Sequence, residues 1–468
     1  MSEALIRRVK ELEAELEKLK SQLKEGSEAE QDMKSPDDNT DCRPGGNTHG
    51  DGKKSKKAGK ERLFDFSAHP RRHVALRLAY LGWAYQGFAV QENTDNTVEA
   101  RLFDALLKTR LIQDRQSSNY HRCGRTDKGV SAFSQVISID LRSTQFCGGL
   151  GVTLPENVDV GTKNKATGSE LPYVKMLNRV LPQDIRILDW APVAEGFSAR
   201  FDCQSRTYRY YFPRGALDVA LMADAAKRYE GTHDFRNVCK MDVGNGVLQF
   251  ERTILSASVE LAQPQLTRST DQYDLFVFQV KGLAFLYHQV RCMMALLLLI
   301  GQKLEAPEII NQLLDVQSNP RKPQYSMAVD YPLVLYDCRF EALSWQQETE
   351  GVSHVLSALQ QHWTQTAVKA HILHGMIQGG ESPNRCWLVE GSRQRNYRPL
   401  LERPCCESLE SRINHFVKRG RLELEEGENG GETVHRGKRS KNSQNSSRQL
   451  LSAGVPSSKQ STDQIADD

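Results

Sequence analysis

The sequence has no long apolar run. Nothing in it approaches the ~20 residues a helix needs to cross a bilayer; the longest stretch is Met293–Ile300, and the Met1 end is charged rather than apolar. Neither a membrane span nor a secretory leader is expected. The ten cysteines include no CxxC pair and no Cys/His cluster at zinc spacing, which argues for reduced thiols and against a structural metal or disulfides. No glycine-rich phosphate loop follows the first strand pattern, which disfavours a doubly wound nucleotide-binding sheet. Net charge is nearly absent as well. Over 468 residues, 62 Lys and Arg against 59 Asp and Glu leave +3, so any polyanion-binding surface must come from local patches.

What is present divides the chain into six stretches. Residues 1–25 carry Leu5, Val9, Leu12, Leu16, Leu19 and Leu23 at steps of four and three, the heptad pattern of a short coiled-coil-like helix. Three heptads are few, and a frayed helix fits the pattern as well as a dimerising one. Residues 26–66 turn polar and end in Lys53, Lys54, Lys56, Lys57 and Lys60, the composition of a disordered basic linker. That run suits a nuclear import signal, an RNA-phosphate tether or a merely solvated tail. Strand and helix patterns then alternate through 67–212, interrupted by a Gly/Thr/Asn/Lys-rich insertion near 148–168, and again through 213–345. The stretch 346–424 reads as a helical extension with an amphipathic helix around Val355–Ile372, and 425–468 as a second disordered basic tail. The expected fold class is α+β, two α/β subdomains with mixed or antiparallel sheets covered by helices on one side.

Four stretches carry chemistry. YHRCGRTDKGVSA (120–132) brackets Arg125, Thr126, Asp127 and Lys128 between Gly124 and Gly129, a loop in which glycines permit close backbone approach or positive φ. Asp127 could be an ordinary turn carboxylate or something more. SRTYRYYF (205–212) places Arg206, Tyr208, Tyr210 and Phe212 on one sheet face, usually core, though interleaved arginine also suits base stacking. FLYHQVRCMM (285–294) sets Arg291 in an apolar helix, where a guanidinium needs a partner or an escape to solvent, and His288 beside it reads as a core or rim residue. NPRKPQY (319–325) is a basic, proline-rich loop that could line an entrance or merely connect elements.

Together CGRTDKGVSA, the ARF…SRTYRYYF segment and AFLYHQVRCMM resemble the TruA-type tRNA pseudouridine synthases in order and in spacing, from about His73 to about Phe340. The wording of CGRTDKGVSAF, SRTYRYYFPR, GTHDFRNVCKMD and KPQYSMAV is most similar to the eukaryotic branch acting at positions 38 and 39 of the anticodon stem-loop. The resemblance implies an RRM-like catalytic core with the active site in a basic cleft between the subdomains. It implies isomerisation of uridine in tRNA, a homodimer, and no cofactor or metal. It also implies that Asp127 is the catalytic carboxylate, that Arg125 and Arg291 stand in the active site with Arg291 paired to Asp127, and that Tyr208 lies against the target base. Ser131 departs from bacterial members, which carry His there. The charge needed for Arg291 must come from outside Lys281–Lys303, which holds no acidic residue. Alternatives are a broader-specificity relative acting on other RNA positions, a non-catalytic RRM-like RNA binder, and, least favoured for want of a second carboxylate, a glycosidase. The expected location is the nucleus, with the cytoplasm also open.

Overall fold

The structure, a computed structural model, describes residues 64–156, 169–263, 271–378, 396–426 and 432–436. The heptads of 1–25, the lysine run and most of the C-terminal tail lie outside the described residues, as do residues 157–168 of the expected insertion. The earlier part of that insertion includes a short strand.

Ten strands form one mixed sheet. They are β1 (Arg71–Tyr80), β2 (His121–Arg122), β3 (Ser131–Arg142), β4 (Val152–Thr153), β5 (Ile185–Pro192), β6 (Ser205–Pro213), β7 (Gly231–Asp234), β8 (Glu251–Leu261), β9 (Leu275–Gly282) and β10 (Leu333–Arg339). The order is β4-β1-β3-β10-β6-β9-β8-β7, with β5 also on β1 and β2 also on β3. The two halves read from the sequence thus share a continuous sheet. Its seam is β10, antiparallel to β6 but parallel to β3 through Val334 opposite Ser131 and Leu335 opposite Ala132. Further along, β3 pairs instead with β2, His121 opposite Ser138. The loop between β2 and β3, residues 123–130, therefore emerges at the seam, and it carries Asp127.

The helices are α1 (Val98–Lys108), α2 (Tyr173–Asn178), α3 (Val219–Lys227), α4 (Gln289–Gly301), α5 (Glu308–Leu314), α6 (Thr349–Gln378) and α7 (Leu409–Lys418). Their starts follow from local chemistry. Thr97, Asp218 and Ser408 accept N–H bonds from Ala100, Leu221 and Ser411, each satisfying a donor that an open first turn leaves without a partner. Asn96, just before the Thr97 cap, donates its side-chain amide to the Ala84 carbonyl. The pattern beginning at Phe285 does not become helix until Gln289, because His288 takes a left-handed conformation (φ 58) and Gln289 Oε1 caps the Leu286 N–H. α4 is then buried almost all round, with Met293, Met294, Leu296, Leu297 and Ile300 inaccessible to solvent. Each such side chain contributes about 1.5–3 kcal/mol by burial. This fixes the position of the helix whose first turn carries Arg291. Beyond the sheet, β11 (Leu422–Glu426) and β12 (Glu432–Arg436) form a hairpin that runs into the stretch read as a tail.

Candidate active site

Thr126, next to Asp127, is fastened on two sides. Its hydroxyl pairs with Tyr80 at the end of β1 (2.7 Å), and its carbonyl accepts the Phe88 N–H (3.1 Å). Gly129 donates to the Tyr85 carbonyl and Val130 to that of Asp127, both at 3.2 Å. Two glycines are required here. Gly129 has φ 76, and a Cβ on it would come 2.8 Å from Asp330 Oδ1; a Cβ on Gly82 would come 2.0 Å from the Val130 carbonyl oxygen. The Asp330 side chain at Gly129 and the Gly82 backbone at Val130 crowd the loop too closely for side chains at those two glycines.

Within that frame the Asp127 carboxylate accepts no hydrogen bond from the described residues. It is only one-quarter exposed, and its nearest charged or titratable contact is His288 Nε2 at 3.4 Å. Burial pushes its pKa up to about 6; the positive charges of Arg291 and Arg125 pull the other way, and Asp330 adds to the upward push. His288 is pushed down to about 4 by burial, then by Arg291, Lys240 and Lys322, so at neutral pH a neutral imidazole stands beside the carboxylate. Among the described residues its buried Nδ1 has no hydrogen-bond partner.

Arg291 is nine-tenths buried in the first turn of α4, as its apolar neighbours required, but the contact differs from the one expected. Its Nε donates to the Ala328 carbonyl (2.8 Å), and the carboxylate within 4 Å is Asp330, 3.8 Å from Nη2. Asp127 feels the guanidinium from farther away. The reasoning from motif residues missed Asp330 because it lies past the quoted KPQYSMAV wording, where nothing in the local pattern marks a turn carboxylate as facing an arginine 39 positions earlier. Arg125 is exposed on the loop itself.

Tyr208 lies at the core side of the site, 9% exposed and edge-on to Phe285 with ring centroids 5.0 Å apart. Burial, with Cys338 and Asp127 nearby, raises its hydroxyl pKa well above the ordinary value. Tyr210 and Phe212 are core. Arg206 is not a stacking surface: it donates to the carbonyls of Leu283 (2.7 Å), Cys123 (2.9 Å) and Arg200 (3.2 Å), tethering the start of the Asp127 loop. Beside it the sulfurs of Cys123, Cys203 and Cys338 are buried within 4.8 Å of one another, a grouping of thiols far apart in sequence that spacing could not reveal. From β10, Cys338 reaches the chain just ahead of the loop.

A cavity of about 470 Å³ adjoins His288 and Arg291, with Lys240, Lys322 and Arg412 also in its wall. Lys322, from the proline-rich basic loop, donates to the Cys239 carbonyl (2.8 Å). Cations without a lining carboxylate make this wall suited to phosphate.

A mixed sheet whose seam presents a carboxylate that accepts no hydrogen bond from the described residues, with arginines near it and a cationic cavity alongside, agrees with the resemblance carried by the motifs. The family described as tRNA pseudouridine synthase matches residues 225–341. The tRNA pseudouridine(38/39) synthase of Homo sapiens is 52% identical over 449 residues, covering 90% of this chain and 89% of that protein. The Saccharomyces cerevisiae protein of the same name is 44% identical over 304 residues, 63% of each chain. The tRNA pseudouridine synthase A of Thermococcus onnurineus is 26% identical over 306 residues, 65% of this chain and 99% of that one. The chain belongs to the tRNA pseudouridine synthase family, and it is an isomerase that converts uridine to pseudouridine.

Proposed function

We propose that this isomerase acts on uridines 38 and 39 of the tRNA anticodon stem-loop, with Asp127 as the catalytic carboxylate. Isomerisation breaks the N1–C1′ bond, turns the base and rejoins it through C5, with the C5 proton lost and N1 protonated, so an anionic group must capture or relay an electron-poor sugar intermediate. Attack at C1′ and proton removal at C2′ both need an ionised carboxylate. The carrying observation is that Asp127 stands in a loop fastened by hydrogen bonds on both sides and accepts none itself from the described residues. Arg291 and Arg125 favour its charged form against burial, and neutral His288 leaves it unneutralised. The target must leave the base stack, at a cost of a few kcal/mol, and the resemblance puts Tyr208, at the core side of the site, against the turned base. Lys240 and Arg412, in the cavity wall, take backbone phosphates.

The homodimer belongs to the same proposal. α6 exposes Leu356, Leu359, Trp363, Leu373, Met376 and Ile377, an apolar surface that a second copy would cover. The halves 67–212 and 213–345 form the walls of the RNA cleft, 346–424 braces them, and the lysine run near 53–60 directs the chain to the nucleus. Deleting 1–62 then removes nuclear accumulation of a fluorescent fusion without removing activity.

The test is site-resolved pseudouridine mapping of tRNA incubated with the full chain. The modification appears at 38 and 39, and Asp127→Ala loses it by at least roughly 10³-fold while still binding tRNA. Modification elsewhere, with 38 and 39 untouched, would overturn the positional assignment; an active Asp127→Ala would overturn the catalytic one.

A further inference from the structure

The ARF segment, Ala199 to Phe201, has no part in the chemistry proposed above. It stands on a turn between β5 and β6 that hydrogen bonds hold from within. Asp202 Oδ2 accepts the Ser198 N–H (2.7 Å), and the Ser198 carbonyl accepts those of Phe201 (3.1 Å) and Asp202 (3.0 Å). Ser138 Oγ, on β3, accepts the Ala199 N–H (3.1 Å). A single guanidinium nitrogen, Arg206 Nη2, donates both to the Arg200 carbonyl (3.2 Å) and to that of Cys123 (2.9 Å). The turn is thereby pinned to the start of the loop that carries Asp127. Space is open over that start, where a Cβ on Gly124 would meet nothing within 4 Å.

On this fixed turn Phe201 is 64% exposed. The Arg200 guanidinium lies 5.3 Å from its ring centroid, and His121 meets the ring edge-on at 6.3 Å. Single exposed apolar residues are ordinary, but a ring braced by a second ring, beside a guanidinium and next to a catalytic loop, has the make-up of a base-stacking platform. Arg200 is also short of anions. The Asp202 carboxylate is engaged by the Ser198 N–H, and burial and then the charges of Arg122, Arg125 and Arg206 push the Arg200 pKa down. A phosphate at this place offsets that repulsion.

We propose that Arg200 and Phe201 form a second nucleotide subsite, in which Phe201 stacks on the base next to the target uridine and Arg200 takes the phosphate joining the two nucleotides. The inference rests on the reading of substrate and of Asp127 given above. Extruding the target takes a stacking partner away from its neighbour, and an aromatic face fixed beside the loop replaces it. Every base has a π-face, so this contact tolerates any sequence. That tolerance suits an enzyme acting at two adjacent positions, whose targets have different neighbours.

The experiment uses the full chain with Asp127→Asn, so that binding is read without turnover, and a tRNA with 5-iodouridine placed immediately before or immediately after a single target uridine. Long-wavelength irradiation should join Phe201 to one of these two probes, identified by mass spectrometry of the crosslinked peptide. With Asp127 intact, Phe201→Ala should raise KM about tenfold and leave kcat within about twofold, because a stack kept throughout the reaction is uniform binding. Phe201→Tyr should keep KM within about twofold of the original while Phe201→Leu should not, which separates a π-face from mere apolar bulk. Arg200→Ala should reduce the slope of log affinity against log salt by about 0.7–0.9. A crosslink to Phe201 from neither probe, or equal KM values for the Leu and Tyr variants, would overturn the proposal. Turnover by Asp127→Asn, or modification away from 38 and 39, would instead remove the reading on which it rests, so the two failures are distinguishable.

Discussion

Glu99 and Asp127 are both largely buried carboxylates under the influence of two arginines, and they end in opposite states. Glu99, in the first turn of α1, accepts bonds from Arg122 (2.7 Å), the Val90 N–H (2.8 Å) and Arg115 (2.9 Å), with its side chain 1% exposed. Burial alone would raise its pKa, but Arg122 and those hydrogen bonds outweigh it and the net shift is downward. Asp127 has charge nearby and no hydrogen bonds from the described residues, and it goes up to about 6. Arginine in contact makes a carboxylate a strut, whereas arginine at a remove, with burial left uncompensated, leaves it reactive. Glu99 joins α1, the turn at Val90 and, through Arg122, the strand leading into the Asp127 loop, so the strut supports the reactive group.

The comparison breaks most plainly at Glu99. Glu99→Ala leaves two guanidinium groups and an N–H without their acceptor, and denaturant unfolding should show a loss of about 3–5 kcal/mol; a change below 1 kcal/mol would mean that the strut bears nothing. Next in size is Arg291→Lys, which keeps charge and loses the planar fork. Single-turnover kinetics should give a rate about 10–100-fold lower, and a double-mutant cycle on stability with Asp127→Ala should give a coupling below about 1 kcal/mol, since the two groups interact without contact.

Asp127→Asn sharpens the contrast from the other side. Because the folded pKa is about 6 against an ordinary 3.8, ionised Asp127 destabilises the fold fully above pH 6 and not at all once both states are protonated. The Asn variant should therefore be inactive yet more stable by about 1–2 kcal/mol at pH 7–8. That gain should fade as pH drops from 6 toward 4; thermal melts across that range read it directly. The smallest effect expected is at the cavity wall: Lys240→Ala should reduce the slope of log affinity for tRNA against log salt by about 0.7–0.9, one phosphate contact.

Much of the fold was legible because it rests on local rules. The strand and helix patterns alternating through 67–212 and 213–345 correspond to the strands of the sheet and the helices beside it, since an element's period is written in neighbouring residues. Errors fell where backbone conformation overrides the pattern. The apolar run at Phe285 looks helical, yet His288 in the left-handed region delays α4 by four residues. Arg206 alternates correctly for a stacking face, but its guanidinium is spent on three carbonyls contributed by other segments.

By itself the sequence determined the order of strands and helices, the glycine at 129 that lets the loop around Asp127 turn through a positive φ, though Gly124 proves to have open space around it, and the need of Arg291 for a negative partner. Each follows from short-range sterics or from the cost of burying a charge. Only the tertiary structure decided which partner that would be, that β10 would sew the halves together beside the loop, and that Asp127 would accept no hydrogen bond from the described residues. Those outcomes depend on distances between residues far apart in the chain, Asp127, Arg291 and Asp330 among them. Electrostatic interaction changes steeply over the few ångströms that separate a contact from a near approach.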